Sequence, residues 1–167
     1  MSQLLEIKDQ KQRESLNKWA KAGCKGSIIA GTGFGKSRCG VLAIKWALKE
    51  GGRALVLVPT IQLQDQFVEE FDKWDAGYLI NTKQVDIICY QSAYKLVNKH
   101  YDIVVCDEVH LGLSAKYRQF FENNTYDKLL CMTATVPEED EYRNYLMRLA
   151  PIRYHISLDE CVDLGLV

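Results

Sequence analysis

Two rhythms of apolar and polar positions alternate along this chain. Short runs that are apolar almost throughout occur at Ile28-Ile29, Ala54 to Val58, Val85 to Cys89, Asp102 to Cys106 and Lys128 to Met132. Such runs suit strands buried on both faces of a sheet. Between them, apolar residues recur at helical spacing. Leu16, Trp19 and Ala20 do so between Gln12 and Ala22, and Val41, Leu42, Ile44, Trp46 and Leu48 form a stretch apolar on most sides. Leu63, Phe67, Phe71 and Trp74 make one stripe opposite Gln64, Asp65, Glu69, Glu70 and Lys73. Further helical stretches are expected from Gln91 to about Val97, from Ala115 to Phe121, and through Tyr142, Tyr145, Leu146 and Leu149. Gly23, Gly51-Gly52, Pro59 and Pro151 punctuate the pattern. Ile152 to Ile156 reads as a final strand, and Ser157 with Glu160 has the spacing of a capping box opening a short helix that Gly165 stops. The alternation predicts an α/β fold: a mostly parallel sheet, right-handed crossovers, and helices on both faces.

With 167 residues, 47% of them hydrophobic, the chain can bury one core, and a single domain over 1–167 is expected. The net charge of −1 excludes a global basic field, so a nucleic-acid partner has to be held by local contacts. Lys8, Lys11, Arg13, Lys18, Lys21 and Lys25 gather near the start, where a solvated helix face explains them as well as a phosphate track does. Cys24, Cys39, Cys89, Cys106, Cys131 and Cys161 form no CxxC pair and read as buried thiols of a reducing compartment. There is no signal-peptide core in Met1 to Gln10 and no apolar run of membrane-spanning length. A soluble protein of the cytoplasm, or of a host cell's cytoplasm if viral, is expected, with no membrane partner.

The candidate chemistry centres on Ala30-Gly31-Thr32-Gly33-Phe34-Gly35-Lys36-Ser37, placed between a short apolar run and a helical pattern. Closely spaced glycines let backbone N–H groups turn onto an anion, Lys36 reaches the β and γ phosphates, and Ser37 offers a hydroxyl to Mg²⁺. The plainer reading is a glycine turn beside a lysine. The first position of the GxxxxGK[ST] pattern is Ala30, and a dinucleotide fingerprint fails because Lys36 stands where its third glycine belongs. Asp107 and Glu108 close a predicted strand at its carboxyl end, where open α/β sheets place their ligands. Asp107 would hold Mg²⁺ opposite Ser37, and Glu108 would orient and deprotonate the attacking water. An acidic loop that only solvates a strand end is the alternative.

The ordered set AGTGFGKS, PTIQLQDQ (Pro59 to Gln66), CYQS (Cys89 to Ser92), DEVH (Asp107 to His110) and TAT (Thr133 to Thr135) resembles the first, RecA-like motor lobe of superfamily II helicases of the DExH type. The flavour is similar to phage, repair and restriction-enzyme translocases. The resemblance implies that His110 couples nucleotide state to the nucleic-acid track, where the residue alone reads equally as an ordinary imidazole. It implies that Thr133 and Thr135 link hydrolysis to strand movement, although Thr135 with Glu138 also has capping-box spacing. Thr60 and Gln91 match positions that face the DNA or RNA backbone, and would otherwise be turn or capping residues. Gln12 resembles the glutamine that reads the adenine edge. The aromatic residue usual before it is Lys11 here, and Gln10 is an alternative.

The resemblance further implies ATP and Mg²⁺ as cofactors and a second motor lobe, supplied in cis or in trans, that carries an arginine finger. Loss of such a finger costs on the order of 10³ to 10⁵ in rate, so the chain alone is expected to hydrolyse ATP poorly or not at all. A non-catalytic, nucleotide-gated module that binds nucleic acid or protein is the other class of function. A small-molecule kinase shares the phosphate loop but leaves DEVH and TAT unexplained.

Overall fold

The computed structural model describes residues 3–166. In chain order the elements are α1 (Gln3–Lys21), β1 (Lys25–Ile29), α2 (Lys36–Ala47), β2 (Ala54–Val58), α3 (Ile61–Lys73), α4 (Gly77–Asn81), β3 (Val85–Cys89), α5 (Tyr90–Ala93), β4 (His100–Cys106), α6 (Gln119–Asn123), β5 (Thr125–Thr133), α7 (Asp140–Leu149), β6 (Ile152–His155) and α8 (Leu158–Asp163). A single 3-10 turn, Val109–Leu111, follows β4. The strands form one six-stranded sheet in the order β3-β2-β4-β5-β1-β6, and every pairing is parallel. The expected α/β architecture is therefore present.

Strand periodicity explains the two cores. Ala54, Val56 and Val58 of β2, Ile103 and Val105 of β4, and Leu130 and Met132 of β5 point to the face carrying Trp19, Val41, Ile44, Phe67 and Phe71. Their neighbours Leu55, Leu57, Val104, Cys106, Leu129 and Cys131 pack on the opposite face with Tyr90, Phe120, Phe121 and Leu146. Successive side chains of a strand alternate between faces, so a continuous apolar run is what a two-sided burial demands. Gly40 lets α2 lie close on the sheet: a Cβ there would stand 3.2 Å from Val105 Cγ1 and 3.3 Å from the Phe67 ring.

Several expectations are corrected. α1 begins at Gln3 rather than near Gln12, and within it Asp9 pairs with Arg13 at i,i+4 spacing and 2.9 Å. The second helix is not buried all round: Trp46 is 63% exposed, and Leu48 lies beyond the helix as its cap. The stretch from Gln91 contracts to α5, after which Asn98 takes a left-handed φ of 57°. The Ala115 to Phe121 helix shifts to Gln119–Asn123, because Arg118 folds back to donate to the Leu113 carbonyl and Ser114 Oγ accepts from the Tyr117 amide, making turns first. α4 has no stripe of its own and was not foreseen. The Ser157 and Glu160 capping box is present. Cys24 is half-buried and the other five cysteines are buried, all as free thiols. No helix among the described residues is long and apolar enough to cross a membrane.

Candidate functional site

The carboxyl ends of β1, β5 and β4 lie side by side, and the motif residues follow directly from them. After β1 the chain runs through the glycine loop into α2. Gly33 and Gly35 have φ of 95° and 86°, conformations that favour glycine. Gly35 is the N-cap of α2, and a Cβ there would come within 2.3 Å of Gln12 Nε2. Between the glycines, Phe34 is fully buried and packs 6.1 Å from the Tyr154 ring of β6, fastening the loop to the core. Lys36 folds over the loop and its Nζ donates to the Ala30 carbonyl at 2.8 Å. Ser37 is half-buried on the first turn of the helix, and Gly31 and Thr32 line the loop before it. Ala30 is itself buried, so the departure from glycine at that position meets no open space.

Asp107 follows β4 and is 5% exposed. Burial pushes its carboxyl up to about 6, and the neighbouring Glu108 charge adds to this, while Lys36 and the Glu108 amide pull the other way. The Coulombic influence of Lys36 on Asp107 places the loop cation and the buried acid in one electrostatic neighbourhood. Asp107 Oδ1 accepts from the Glu108 N–H at 3.0 Å. Glu108 has φ 47° and ψ 50°, left-handed backbone in a non-glycine residue. Such conformations cost about 1–3 kcal/mol and are held by surrounding structure. A buried carboxyl, together with the lysine and hydroxyl that begin α2 at the same end of the sheet, is a donor set suited to Mg²⁺ and a phosphate chain.

His110 and the two threonines form a connected group. His110 Nδ1 lies 2.7 Å from Thr133 Oγ1 and 3.6 Å from Glu108 Oε2. Thr133 Oγ1 donates to the Thr135 carbonyl and accepts from the Thr135 amide, both at 3.1 Å. The Ala30 amide donates to the Thr133 carbonyl at 3.0 Å, joining this group to the start of the glycine loop. Thr135 does not cap α7, whose N-cap is Glu139. Thr60 does cap α3: its Oγ1 accepts from the Leu63 amide at 3.2 Å. Thr60 and Gln91 are both exposed at the carboxyl ends of β2 and β3.

Residues 6–138 match the family model described as the type III restriction enzyme, res subunit. The chain belongs to this family. Solved structures with the same fold include the UvsW helicase from bacteriophage T4, at TM-score 0.64 and 14% identity, covering 87% of this chain and 58% of that one. A nuclease-deletion mutant of the Type ISP restriction-modification enzyme LlaGI, in complex with a DNA substrate mimic, matches at TM-score 0.68 and 17% identity over 93% of this chain and 20% of that one. Dbp5 of S. cerevisiae, bound to RNA and ADP BeF3, matches at TM-score 0.68 and 18% identity over 88% of this chain and 45% of that one. The chain thus spans less than two thirds of the length of each, and its fold is that of a helicase-type motor lobe.

The sequence offered Gln12 with Gln10 as its alternative; Arg38 and Tyr90 escaped it. Gln12, not the exposed Gln10, reaches the loop: it is buried, donates from Nε2 to the Phe34 carbonyl at 2.9 Å, and accepts from Arg38 Nη1 at 2.8 Å. Arg38 reads in sequence as an ordinary polar residue of a helix. Tyr90 sits unmarked inside CYQS, yet its buried hydroxyl donates to the Asp107 carbonyl at 2.8 Å. Only the register between strand ends brings those two together.

Proposed function

We propose that this chain is the ATP-binding lobe of an ATP-dependent helicase or translocase of the DExH type, which acts on DNA or RNA with a second lobe supplied in cis or in trans. One observation carries the reading: the glycine loop with Lys36 and the buried pair Asp107 and Glu108 share the carboxyl end of the sheet, close enough for Lys36 to act on Asp107. The loop amides from Gly31 to Gly35 and the Lys36 ammonium would cradle the phosphates. Ser37 and Asp107 would hold Mg²⁺, which neutralises the β and γ phosphate oxygens. Glu108 orients and deprotonates the attacking water. His110, tied to Glu108 and Thr133, would pass a shift at the nucleotide to the strand that carries Thr133 and Thr135. Thr60 and Gln91 offer polar groups to a nucleic-acid backbone on the same side of the sheet.

Lys36→Ala tests the site by titration calorimetry with MgATP. Losing a charge-assisted bond worth roughly 1.5–3 kcal/mol should weaken binding about 10- to 100-fold. Equal affinity in variant and parent overturns the assignment. Because no arginine finger is among the described residues' roles, turnover by the isolated chain should stay negligible with single-stranded DNA or RNA added; motor-like turnover from this chain alone would refute the one-lobe reading.

A further inference from the structure

Three tyrosine rings form a ladder beside α5. The innermost, Tyr90, is buried and donates its hydroxyl to the Asp107 carbonyl at 2.8 Å. Tyr117 stacks on it, with ring centres 6.2 Å apart and planes 25° from parallel, and Tyr94 leans on Tyr117 at 6.0 Å. A side chain at Gly112 would strike the Tyr90 ring, so backbone closes over the inner end of the ladder. Burial falls outward: Tyr117 and Tyr94 are half-buried, and Gln91 beside them is exposed.

Two cations reach the outer ring from different parts of the chain. Lys116 Nζ stands 4.8 Å from the centre of the Tyr94 ring, and Lys95 Nζ 5.8 Å from it. Both lysines are exposed, and neither pairs with a carboxylate among the described residues. Lys11, Lys18 and Lys49, by contrast, each have an acidic partner. Like charges gathered on one ring repel, and an anion placed beside them relieves that repulsion. An exposed cation–π contact is weak, whereas an ammonium that neutralises a phosphate also releases its counterions. Lys116 therefore gains by leaving the ring for a phosphate, which bares the face of Tyr94.

Resting on the nucleic-acid reading above, we propose that Tyr94 is a stacking platform for an unpaired base of a single-stranded nucleic acid, with Lys95 and Lys116 taking the flanking phosphates. A rigid ring with cations at its border is the combination that holds single strands without reading their sequence. Tyr117 and Tyr90 are positioning residues that brace the platform from behind. Thr60 and Gln91 offer polar groups to the backbone alone. Tyr94 adds a contact that only a base free of its complement can make.

The test uses the full chain at low salt and three fluorescent probes read by anisotropy: an oligothymidylate of about 15 nucleotides, an abasic strand of equal charge and a duplex of equal length. The parent should bind the oligothymidylate about tenfold tighter than the abasic strand. Tyr94→Ala should weaken the oligothymidylate about tenfold and leave the abasic strand and the duplex within about twofold, while Tyr94→Phe, which keeps the ring, should match the parent. Lys95→Gln combined with Lys116→Gln should weaken both single strands and reduce the salt slope by about 1–1.5. Melting curves verify that each variant is folded. Parent-like binding of the oligothymidylate by Tyr94→Ala, or equal losses for the oligothymidylate and the abasic strand, overturns the platform and spares Thr60 and Gln91. A parent that binds none of the three probes overturns the nucleic-acid reading, and this inference with it.

Discussion

Titratable side chains cluster at both ends of the sheet, and the two clusters are built differently. At the amino end, His100 Nε2 lies 3.4 Å from Asp127 Oδ1, Lys49 Nζ is 3.9 Å from the same carboxylate, and Asp102 Oδ2 accepts from the Lys49 amide at 2.9 Å. The ligand atoms of His100, Asp102 and Asp127 lie within 4.8 Å of one another, yet each of these side chains already has a partner. At the carboxyl end, Asp107 is buried, its carboxyl is pushed up to about 6, and the next residue is a second acid in left-handed backbone. Charges that satisfy each other make surface structure. A carboxyl that burial holds near 6 beside a second acid, at the end of a strand, is a candidate binding position.

The sharpest way to break this contrast is Asp107→Asn. A carboxyl that titrates near 6 when folded and at 3.8 when exposed holds its proton more tightly in the folded chain. Its stabilising contribution is therefore present below about pH 4 and lost as pH rises through about 6. Chemical denaturation should find the ligand-free chain less stable at pH 7 than near pH 4 from this group, by on the order of 2–3 kcal/mol. Asp107→Asn should regain that amount at pH 7 while losing Mg²⁺-dependent ATP affinity. A variant that loses both stability and affinity would mean that Asp107 is a structural acid like those at the other end.

Tyr90→Phe probes a smaller effect. Removing the hydroxyl leaves the Asp107 carbonyl without that donor and should cost about 1–2 kcal/mol of stability. ATP affinity should fall as well, because the backbone of the acidic turn is freed; stability loss with unchanged affinity would confine Tyr90 to packing. The smallest effect belongs to the amino end. His100→Ala removes an exposed contact with Asp127 and should change stability by less than about 1 kcal/mol. Nucleotide affinity should not move, and a measurable drop in a titration with MgATP would erase the distinction between the two ends.

Much of the architecture could be read from periodicity, because β2 and β4 are buried on both faces and α3 carries a clean stripe over Phe67 and Phe71. The neighbour relations could not. Nothing in the pattern of β5 says that it lies between β1 and β4, and that placement is what joins the loop to the acids through Thr133. The conformation of the glycine loop was legible because glycine spacing encodes backbone geometry directly. Arg38 and Tyr90 were not, since their importance comes from partners distant in sequence: Trp74 and Gln12 for one, Asp107 for the other. The helix at Gly77–Asn81 was invisible for a local reason: five residues are too few to show a helical period.

The anchoring of Phe34 against Tyr154 has a consequence for how the domain breathes. β6 is a four-residue edge strand that pairs with β1 alone, and its ladder is irregular between Ser27 and Ile28. The glycine segment is therefore clamped by the margin of the sheet most prone to fray. Occupancy at one end of the molecule should tighten that margin, so amide deuteration of Arg153 to His155 would slow when phosphate is bound, giving a clock for loop order that needs no turnover.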